Sequence, residues 1–388
     1  MKPICPVENC TGCMSCASVC THDAIEIKED AYGFLRPSIV EDKCTDCGAC
    51  RRVCPELNRV RMQFPLACYA AAVSDREKSF RYASGGVASS IASYVISQGG
   101  VVAASCGNDI FDVEHRLLRS VGELPAISGS RYVQSKITPE LISEIRKELK
   151  SGRTVAFIGT GCQTAGMRNL FSARYDNLVL IDLVCHGVPS QKMLNDNIRH
   201  YQSQFPAFDP QTVRFREKHD GKITYGWFAE IENGKKIAVP WRKDAYMAAF
   251  LDHLSLRPCC TRCRYAFSAR ATDLTLSDFW GLSSDSVLHG RNGVSAVLVN
   301  TEKGRELFSA LKDLDIEKRE IEEAIRGVGR LQTPSPANPQ TQRFNELYLA
   351  QGLQQAASKT VFAKFRREKI KSIPLIGYII RAFRPMFG

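Results

Sequence analysis

Two stretches of the chain share one arrangement of cysteines: CTGCMSCASVC at residues 10–20, and CTDCGACRRVC at residues 44–54, with Pro55 next. In each stretch, two, two and three residues separate successive cysteines. A tight loop with this spacing directs three thiolates at three irons of one cubane, whereas the fourth iron faces away and needs a ligand from elsewhere. The spacing therefore predicts two [4Fe–4S] clusters.

The predicted ligand sets are crossed between the two stretches. This is the spacing of bacterial two-cluster ferredoxins, in which the fourth cysteine of each run ligates the other cluster. The first set is Cys10, Cys13, Cys16 and Cys54, and the second set is Cys44, Cys47, Cys50 and Cys20. Zinc usually takes two C-x2-C pairs that lie farther apart, and disulfides suit secreted chains. We therefore expect a ferredoxin-type domain over residues 1–62.

Composition indicates a globular protein that does not bind nucleic acid. The 388 residues, 44% of them hydrophobic, leave room for two or three domains. No secretory signal and no run of eighteen apolar residues is found, which predicts a cytoplasmic protein. The formal charge of +11 counts every cysteine as neutral. With twelve thiolates around three clusters the charge would be about +5, concentrated in the C-terminal tail.

Beyond residue 63, apolar strands alternate with amphipathic helices, which is typical of an α/β sheet. We divide this region at 63–150 and 151–330, and place a β-rich insert at Val213–Trp241. Residues 331–388 are predicted to form a linker, QTPSPANPQ at 332–340, and a basic amphipathic tail. No Walker motif and no G-x-G-x-x-G occurs, so neither a phosphate-loop NTPase nor a standard nicotinamide fold is indicated.

Four further cysteines predict a third cluster. Cys162 and Cys185 each follow the end of a predicted strand, at the sheet edge where ligands collect. Cys260 and Cys263 add a C-x2-C pair, and the adjacent Cys259 could substitute for Cys260. The alternative is that Cys162 and Cys185 are small buried apolar residues.

Ser84-Gly85-Gly86 precedes a predicted helix and has the composition of an anion site. The serine could cap the helix while the glycines let its first amides approach a phosphate. A tight strand-to-helix turn explains the residues equally well. Gly159-Thr160-Gly161 is a weaker example of the same pattern, and His186 alone would be a hydrogen-bonded structural residue.

Several stretches together resemble the coenzyme F420 hydrogenase/dehydrogenase beta-subunit family. They are SGGVASSIASYVISQGG (84–100), GSRYVQS (129–135), FIGTGCQTAGMRNLF (157–171), LVCHGVPS (183–190), LRPCCTRCRY (256–265), TDLTLSDFWG (272–281) and NGVSAVLVNTEKG (292–304). The match runs from about residue 67 to 330, behind the ferredoxin module. Three residues depart from the pattern expected of the family: Ser277, Gly161 and Cys259.

The resemblance implies a flavoprotein that binds FAD beside an iron–sulfur cluster. It shifts the interpretation of the 84–86 turn toward flavin phosphate binding. The flavin-binding residues that it implies are Ser84, Gly85, Gly86, Ser130, Arg131, Tyr132, Gln134, Thr160 and His186. The expected fold class is α+β: a two-cluster bacterial ferredoxin domain followed by an α/β flavin-binding region with a β-rich insert.

The expected function is that of an iron–sulfur flavoprotein oxidoreductase. It would move electrons between the ferredoxin-type clusters, FAD and an organic substrate, which could be a deazaflavin. Ferredoxin or another electron-transfer protein would be the partner. The alternative is an electron-relay subunit of a larger redox complex, without a substrate of its own. The basic tail would either contact an anionic membrane peripherally or pack as a helix on the body or on a partner.

Overall fold

The computed structural model of the protein describes residues 2–107, 109–171, 174–219, 222–231 and 234–371. The strands are β1 (Lys2–Pro3), β2 (Ile25–Glu29), β3 (Leu35–Ile39), β4 (Ala67–Val73), β5 (Val101–Cys106), β6 (Glu114–Leu118), β7 (Val155–Thr160), β8 (Leu178–Leu183), β9 (Phe208–His219), β10 (Lys222–Ile231), β11 (Lys236–Pro240), β12 (Leu274–Asp278), β13 (Ser295–Val299) and β14 (Leu314–Arg319). The α-helices are α1 (Ala49–Val53), α2 (Arg76–Ser79), α3 (Val87–Ser97), α4 (Pro139–Lys150), α5 (Gly161–Phe171), α6 (Gln191–Gln204), α7 (Ala245–Leu251), α8 (Glu302–Ser309), α9 (Ile321–Gly327), α10 (Thr341–Lys359) and α11 (Val361–Lys371).

The N-terminal domain is ferredoxin-like, with a small antiparallel sheet in the order β1-β3-β2. The turn between β2 and β3 lies at Tyr32-Gly33, where Gly33 has a φ of +83°. The Gly33 amide donates to the Asp30 carbonyl at 2.9 Å. Both cysteine stretches lie outside these strands, in loops and short helical turns.

The body contains one eight-stranded mixed sheet in the order β14-β4-β13-β12-β8-β7-β5-β6. The four strands β12, β8, β7 and β5 are parallel neighbours, and the remaining pairings are antiparallel. The carboxyl ends of the parallel strands therefore lie along one edge. Ligands of open α/β sheets bind at that edge, and the candidate site is found there.

Helix α4 shows how the sequence positions a helix on this sheet, through an N-terminal cap and one apolar face. In α4, the Thr138 side chain accepts the Leu141 amide at 3.2 Å, and proline occupies the first turn. Its buried side chains recur at helical spacing and join the core beneath β5 and β7: Leu141, Ile142, Ile145 and Leu149. The apolar face of this helix thus fixes it against the parallel strands.

The β-rich insert is a separate antiparallel sheet, in the order β11-β10-β9. It starts at Phe208, five residues earlier than the expected start at Val213. Trp227 on β10 is fully buried in an apolar core that the insert shares with α6, α7 and α10. Arg216 on β9 also pairs with Asp278 at 2.9 Å, which ties the insert to the carboxyl end of β12.

Residues 332–340, which composition predicts to be a linker, contact the body at two points. They lack regular secondary structure and most of them are exposed, but Ser335 is 2% exposed and its hydroxyl donates to the His186 carbonyl. Asn338 donates to the Asp252 carbonyl at 2.7 Å. These two hydrogen bonds fix the path of the segment along the body.

The described part of the tail packs on the protein. Val361 is fully buried, and Phe365 meets Trp241 edge-on with ring centroids 5.7 Å apart. Lys364 pairs with Asp252. Among the residues that the structure describes, no helix is both long and apolar enough to cross a bilayer. Residues 372–388, the rest of the predicted amphipathic tail, lie outside the described residues.

Candidate cofactor site

Four cysteines from the two N-terminal stretches line one small cavity. They are Cys10, Cys13, Cys16 and Cys54. Burial raises the pKa of Cys16 well above its usual value, and the charges of the other three sulfurs raise it further. The structure thus places the first three cysteines of one stretch beside the last cysteine of the other, which is the arrangement that crossed ligation requires.

A fifth thiol, that of Cys5, lies at the same cavity. Its hydrogen bonds to the sulfurs of Cys10 and Cys54 raise the pKa of Cys5. The same bonds lower the pKa of Cys10 to about 5 and that of Cys54 to about 7. Thiolates are the form that binds metal, so this contact favours the ligating form of both cysteines.

The second predicted set lies on the outer side of the domain. Cys44 and Cys50 pack against the apolar core of the domain, and Cys47 is exposed. The sulfur of Cys20 accepts the Ala24 amide at 3.4 Å. Across the described residues, no group of three or more His, Cys, Asp or Glu side chains converges on a single-ion site. A cubane presents four separate irons, so its ligands surround it rather than meet at a point.

Cysteines from three segments meet at the carboxyl edge of the main sheet. Cys162 lies in the first turn of α5, directly after β7, and Cys185 follows β8. Burial raises the pKa of Cys162, and the charges of three neighbouring sulfurs raise it further. Those neighbours are Cys185, Cys259 and Cys263. Cys260 donates a hydrogen bond to Cys259, which raises the pKa of Cys260 and lowers that of Cys259.

A buried arginine beside this third set lacks acceptors for two of its donors. Arg270 is 2% exposed, and its Nη1 donates to Asp182 at 3.0 Å and to the Tyr265 carbonyl. Its Nε and Nη2 have no hydrogen-bond partner among the described residues. Burial raises the pKa of Cys185, and the Arg270 charge opposes that increase. Buried N–H groups require acceptors, and the sulfurs of a cluster would supply them, so these residues fit an iron–sulfur cluster.

One cavity of about 470 Å³ connects the third cysteine set to most of the predicted flavin residues. Its walls include Ser84, Gly86, Ser130, Arg131, Tyr132, Gln134, Thr160, His186, Cys162, Cys185, Cys259, Cys260 and Cys263. The N-terminal domain contributes Asn9, Thr11 and Glu56 to the same walls. Cavities of roughly 300–1,000 Å³ are usual for small-molecule and cofactor sites.

The Ser84-Gly85-Gly86 turn differs in detail from the expectation. Contrary to the expectation, Ser84 does not cap α3. Its hydroxyl instead donates to the Val294 carbonyl at 3.1 Å. Gly86 is the N-cap residue, with a φ of +85°, and no side chain caps the helix. The Gly85 amide donates to Ser295 Oγ at 3.1 Å. The amides of the first turn of α3 are therefore left for a ligand, because glycine rather than serine begins the helix.

Among the arginines of the cavity wall, Arg131 and Arg216 differ in how their charges are paired. Arg131 Nη2 donates to the carbonyls of Ala126 at 2.7 Å and Ser128 at 3.2 Å, and desolvation lowers its pKa. No carboxylate in the described part of the chain pairs with Arg131. Arg216 on β9 differs, because it forms a two-point ion pair with Asp278, at 3.0 and 2.9 Å. Of these two arginines, Arg131 therefore offers the uncompensated positive charge to the cavity.

Two hydrogen bonds and one ring contact fix Tyr132 in place. Its hydroxyl accepts from Arg216 Nε, and its carbonyl accepts from the Tyr246 hydroxyl at 2.6 Å. Its ring packs on Phe250, with centroids 5.1 Å apart. These contacts fix the orientation of the ring at the cavity wall.

Three other predicted flavin residues, Gln134, Thr160 and His186, differ in which polar atoms remain without a protein partner. Gln134 uses both ends of its amide for protein contacts, and Thr160 bonds to Gln163 and lies 3.2 Å from Cys162 Sγ. His186 stacks on His253 with centroids 4.6 Å apart, and burial lowers its pKa to about 4. Its Nε2 lacks a partner among the described residues. The imidazole is therefore neutral near pH 7 and presents no cation to a phosphate.

Sequence reasoning missed three residues of this site: Arg257, Arg270 and Ser335. The two arginines are buried charges, and no local motif marks such a residue. Arg257 lies within LRPCC, where only the cysteines attract attention. Ser335 lies in the segment that composition predicts to be a linker.

Comparison with known proteins finds family models that match three separate stretches of the chain. A family model for the C-terminal part of the coenzyme F420 hydrogenase/dehydrogenase beta subunit matches residues 152–324, and the model for its N-terminal part matches residues 68–141. A 4Fe–4S dicluster domain matches residues 9–57.

Two curated relatives align over most of the chain. One subunit of the F(420)H(2) dehydrogenase of Methanosarcina mazei is 23% identical over 328 residues, which is 78% of this chain and 82% of the relative. The coenzyme F420-dependent sulfite reductase of Methanocaldococcus jannaschii is 24% identical over 330 residues, or 78% of this chain. The alignment covers 46% of that second relative, so the chain spans about half of its length.

Among solved structures, a chain of the F420-reducing [NiFe] hydrogenase complex from Methanosarcina barkeri is similar. The alignment covers 77% of this chain and 92% of that chain, with 19% identity and a TM-score of 0.46. The two family models lie in the expected order behind the dicluster domain. The chain belongs to the coenzyme F420 hydrogenase/dehydrogenase beta-subunit family, with a 4Fe–4S dicluster domain in front of the family region.

Proposed function

We propose that the chain is an iron–sulfur flavoprotein oxidoreductase that moves electrons between its [4Fe–4S] clusters, FAD and an organic substrate. The observation that carries the proposal is the single cavity of about 470 Å³. It brings the third cysteine set, an uncapped helix N-terminus and residues of the dicluster domain to one place. Such a cavity lets a cofactor lie next to both an electron source and an open face.

The flavin assignment rests on the chemistry of the cavity wall. The start of α3 presents first-turn amides without a side-chain cap, and the eleven-residue helix adds its dipole. Arg131 adds a positive charge that no described carboxylate compensates. An anionic diphosphate group such as that of FAD satisfies both features, whereas a neutral ligand would leave them unpaired.

The residues around the site would bind and orient the cofactor. Bound FAD exchanges electrons singly with clusters and in pairs with organic molecules. Tyr132 is fixed by Arg216 and Tyr246, and can hold the position of a ring system beside it. His186 stays neutral near pH 7 because its pKa is about 4. It therefore acts as a hydrogen-bonding and packing group, and not as a permanent cation.

Names of the relatives suggest the substrate class. Both curated relatives are named for F420, and the sulfite reductase is named as dependent on it. We therefore propose a deazaflavin as the organic substrate, in line with the expectation from sequence. Ferredoxin or another one-electron carrier protein remains the proposed partner of the dicluster domain.

Flavin content is the direct test of this proposal. The anaerobically purified chain is expected to release about one FAD on denaturation. Replacing Arg131 by glutamine should weaken FAD binding by roughly ten- to a hundredfold, since a hydrogen bond to a charged group contributes about 1.5–3 kcal/mol. Iron content should not change. Binding is measured by fluorescence titration of the flavin-free protein.

Arg116 provides a matched control, because it is an exposed arginine on β6 that pairs with Glu114 at 3.0 Å. Arg116→Gln is expected to bind FAD like the wild type. A wild-type protein that carries full iron, shows no flavin absorbance and binds no added FAD would refute the flavin assignment.

Adjacent cysteines make the fourth ligand of the third cluster redundant. Cys259 and Cys260 both line the cavity and hydrogen-bond to each other. We expect Cys259→Ser and Cys260→Ser each to retain about twelve irons per chain, while the double variant retains about eight. Iron analysis after anaerobic reconstitution measures this. If one single variant alone falls to eight, the ligand is that residue, and the redundancy is rejected.

A second candidate function is favoured by one observation: the Methanosarcina mazei relative is named as part of a larger dehydrogenase. The chain would then relay electrons within a larger redox complex without a substrate of its own. Turnover separates the two functions. The relay is supported if the isolated chain holds flavin that reduced ferredoxin can reduce, yet transfers no electrons to deazaflavin or any other organic acceptor.

A further inference from the structure

Arg257 is a fully buried arginine that connects the dicluster domain to the body. Its exposed fraction is 0%. Nε donates to the Cys10 carbonyl at 2.7 Å and Nη2 donates to the Leu35 carbonyl at 2.8 Å. Nη1 donates to Gln134 Oε1 at 2.7 Å. The guanidinium thus bonds to two segments of the N-terminal domain and one segment of the body.

Among the described residues, no carboxylate balances the charge of Arg257, and the nearest anionic group of the protein is the Cys10 sulfur, to which Nη2 donates. All three strong acceptors are neutral. A buried charge is costly unless an opposite charge lies nearby. Nη2 lies 3.6 Å from Cys10 Sγ, a predicted ligand of the first cluster. Since a [4Fe–4S] cluster with four thiolates carries net negative charge, it is the counter-charge that this arginine requires.

The same residue also adjoins the third cysteine set. Arg257 lies two positions before Cys259, and its carbonyl accepts the Cys260 amide at 2.9 Å. Its own amide donates to the Val188 carbonyl at 2.9 Å, which ties it to the loop after β8. Arg257 therefore lies between the first and third cysteine sets and contacts the backbone of both.

We propose that Arg257 is a positioning residue that holds a fixed positive charge between the first and third clusters and raises the reduction potentials of both. The inference rests on the proposed function, since it needs the clusters. Reduction adds one electron to a cluster, supplied by the one-electron carrier protein named above. A nearby cation stabilises the more negative reduced state, and it does so strongly where water is excluded.

A comparison with Arg36 shows why burial and ion pairing decide how strongly an arginine affects the reduction potential of a cluster. Its Nη1 also reaches the Cys10 carbonyl, at 3.4 Å, but its Nε pairs with Asp30 at 2.9 Å. The positive charge of Arg36 is thereby offset locally. Arg36→Gln is therefore a matched control, because it removes an equal charge at the same cysteine from a partly exposed ion pair, where solvent screens the change.

The test is a redox titration of the full anaerobic chain, followed by electron paramagnetic resonance. In Arg257→Gln, the one-electron reduction equilibrium of the first and third clusters should become at least tenfold less favourable, a shift of about 59 mV. Arg257→Lys should keep the potentials near those of the wild type. Arg36→Gln should change them less than threefold. The second cysteine set serves as an internal reference.

Gln134→Glu gives an independent route to the same answer. It places a carboxylate against Arg257 Nη1 and keeps the guanidinium. The one-electron reduction equilibrium of both clusters should therefore again become at least tenfold less favourable. If Arg257→Gln fails to fold, this variant decides. Unchanged potentials in a Gln134→Glu protein with full iron would overturn the inference. A wild type without cluster signals would instead reject the proposed function.

Discussion

Serine in place of Cys162 is expected to lower the iron content from about twelve to about eight per chain, four irons being one cubane. Unlike Cys259 and Cys260, Cys162 has no adjacent cysteine that could take its place. It also lies in the first turn of α5, on a different segment of the chain from Cys259 and Cys260. The spectra of the two N-terminal clusters should remain.

Cys106 is the matched control for this experiment. It is also buried, at 4% exposure, and also lies at the carboxyl end of a parallel strand, β5. It belongs to none of the three cysteine sets. Cys106→Ser should therefore retain about twelve irons. Full iron in Cys162→Ser would remove Cys162 from the ligand set, and loss of iron in both variants would point to general instability.

Alanine in place of Gly85 is expected to destabilise the fold by about 3 kcal/mol or more, as overpacking does when backbone cannot yield. A Cβ at this position would overlap the Ala71 carbonyl and lie 2.7 Å from the Ser295 amide nitrogen. Both atoms belong to paired strands, β4 and β13, so neither can move without breaking the sheet. Chemical denaturation followed by circular dichroism should show a lower midpoint.

Gly122→Ala is the appropriate comparison. Its added Cβ would meet only Ser120 Oγ, at 3.9 Å, which is an ordinary contact. Its midpoint should match that of the wild type. A Gly85→Ala protein with the wild-type midpoint would show that the turn at 84–86 is less tightly packed than the structure indicates.

These glycines also alter how the 84–86 turn can be tested for cofactor binding. Gly86→Val would place a side chain 2.7 Å from the Tyr82 ring and Val73, in a backbone with a φ of +85°. Such a variant would lose stability whether or not a phosphate binds there. Arg131→Gln avoids this ambiguity, because it removes charge without changing the backbone.

Local patterns allowed much of the fold to be predicted. Cysteine spacing, the proline and threonine that begin α4, and the alternation of strands and helices are all set by residues close in sequence. The mixed α/β fold and the ferredoxin-like N-terminal domain follow from them and are confirmed. The ligand sets remain predictions, although the structure places Cys54 beside Cys10, Cys13 and Cys16.

What sequence could not reveal depends on distant contacts. The role of Arg257 arises from partners at Cys10 and Leu35, more than two hundred positions away. Ser84 does not cap α3 because Val294, next to another strand, offers its hydroxyl a partner. By composition, residues 332–340 resemble a flexible spacer. The hydrogen bonds that fix their path go to the carbonyls of His186 and Asp252, which are distant in sequence.

The hydrogen bonds from the body to the dicluster domain have a consequence for the synthesis of the protein. Gln134 and Arg257 lie 123 and 247 positions after the residues of that domain whose carbonyls they bind. Ribosomes release the N-terminal part first, and domains fold as they emerge. The first two cysteine sets can thus acquire iron before Arg257 has been translated, whereas the third set is complete only once Cys263 has emerged. The direction of synthesis therefore makes the first two cysteine sets available before the third set and before the arginine that docks their domain.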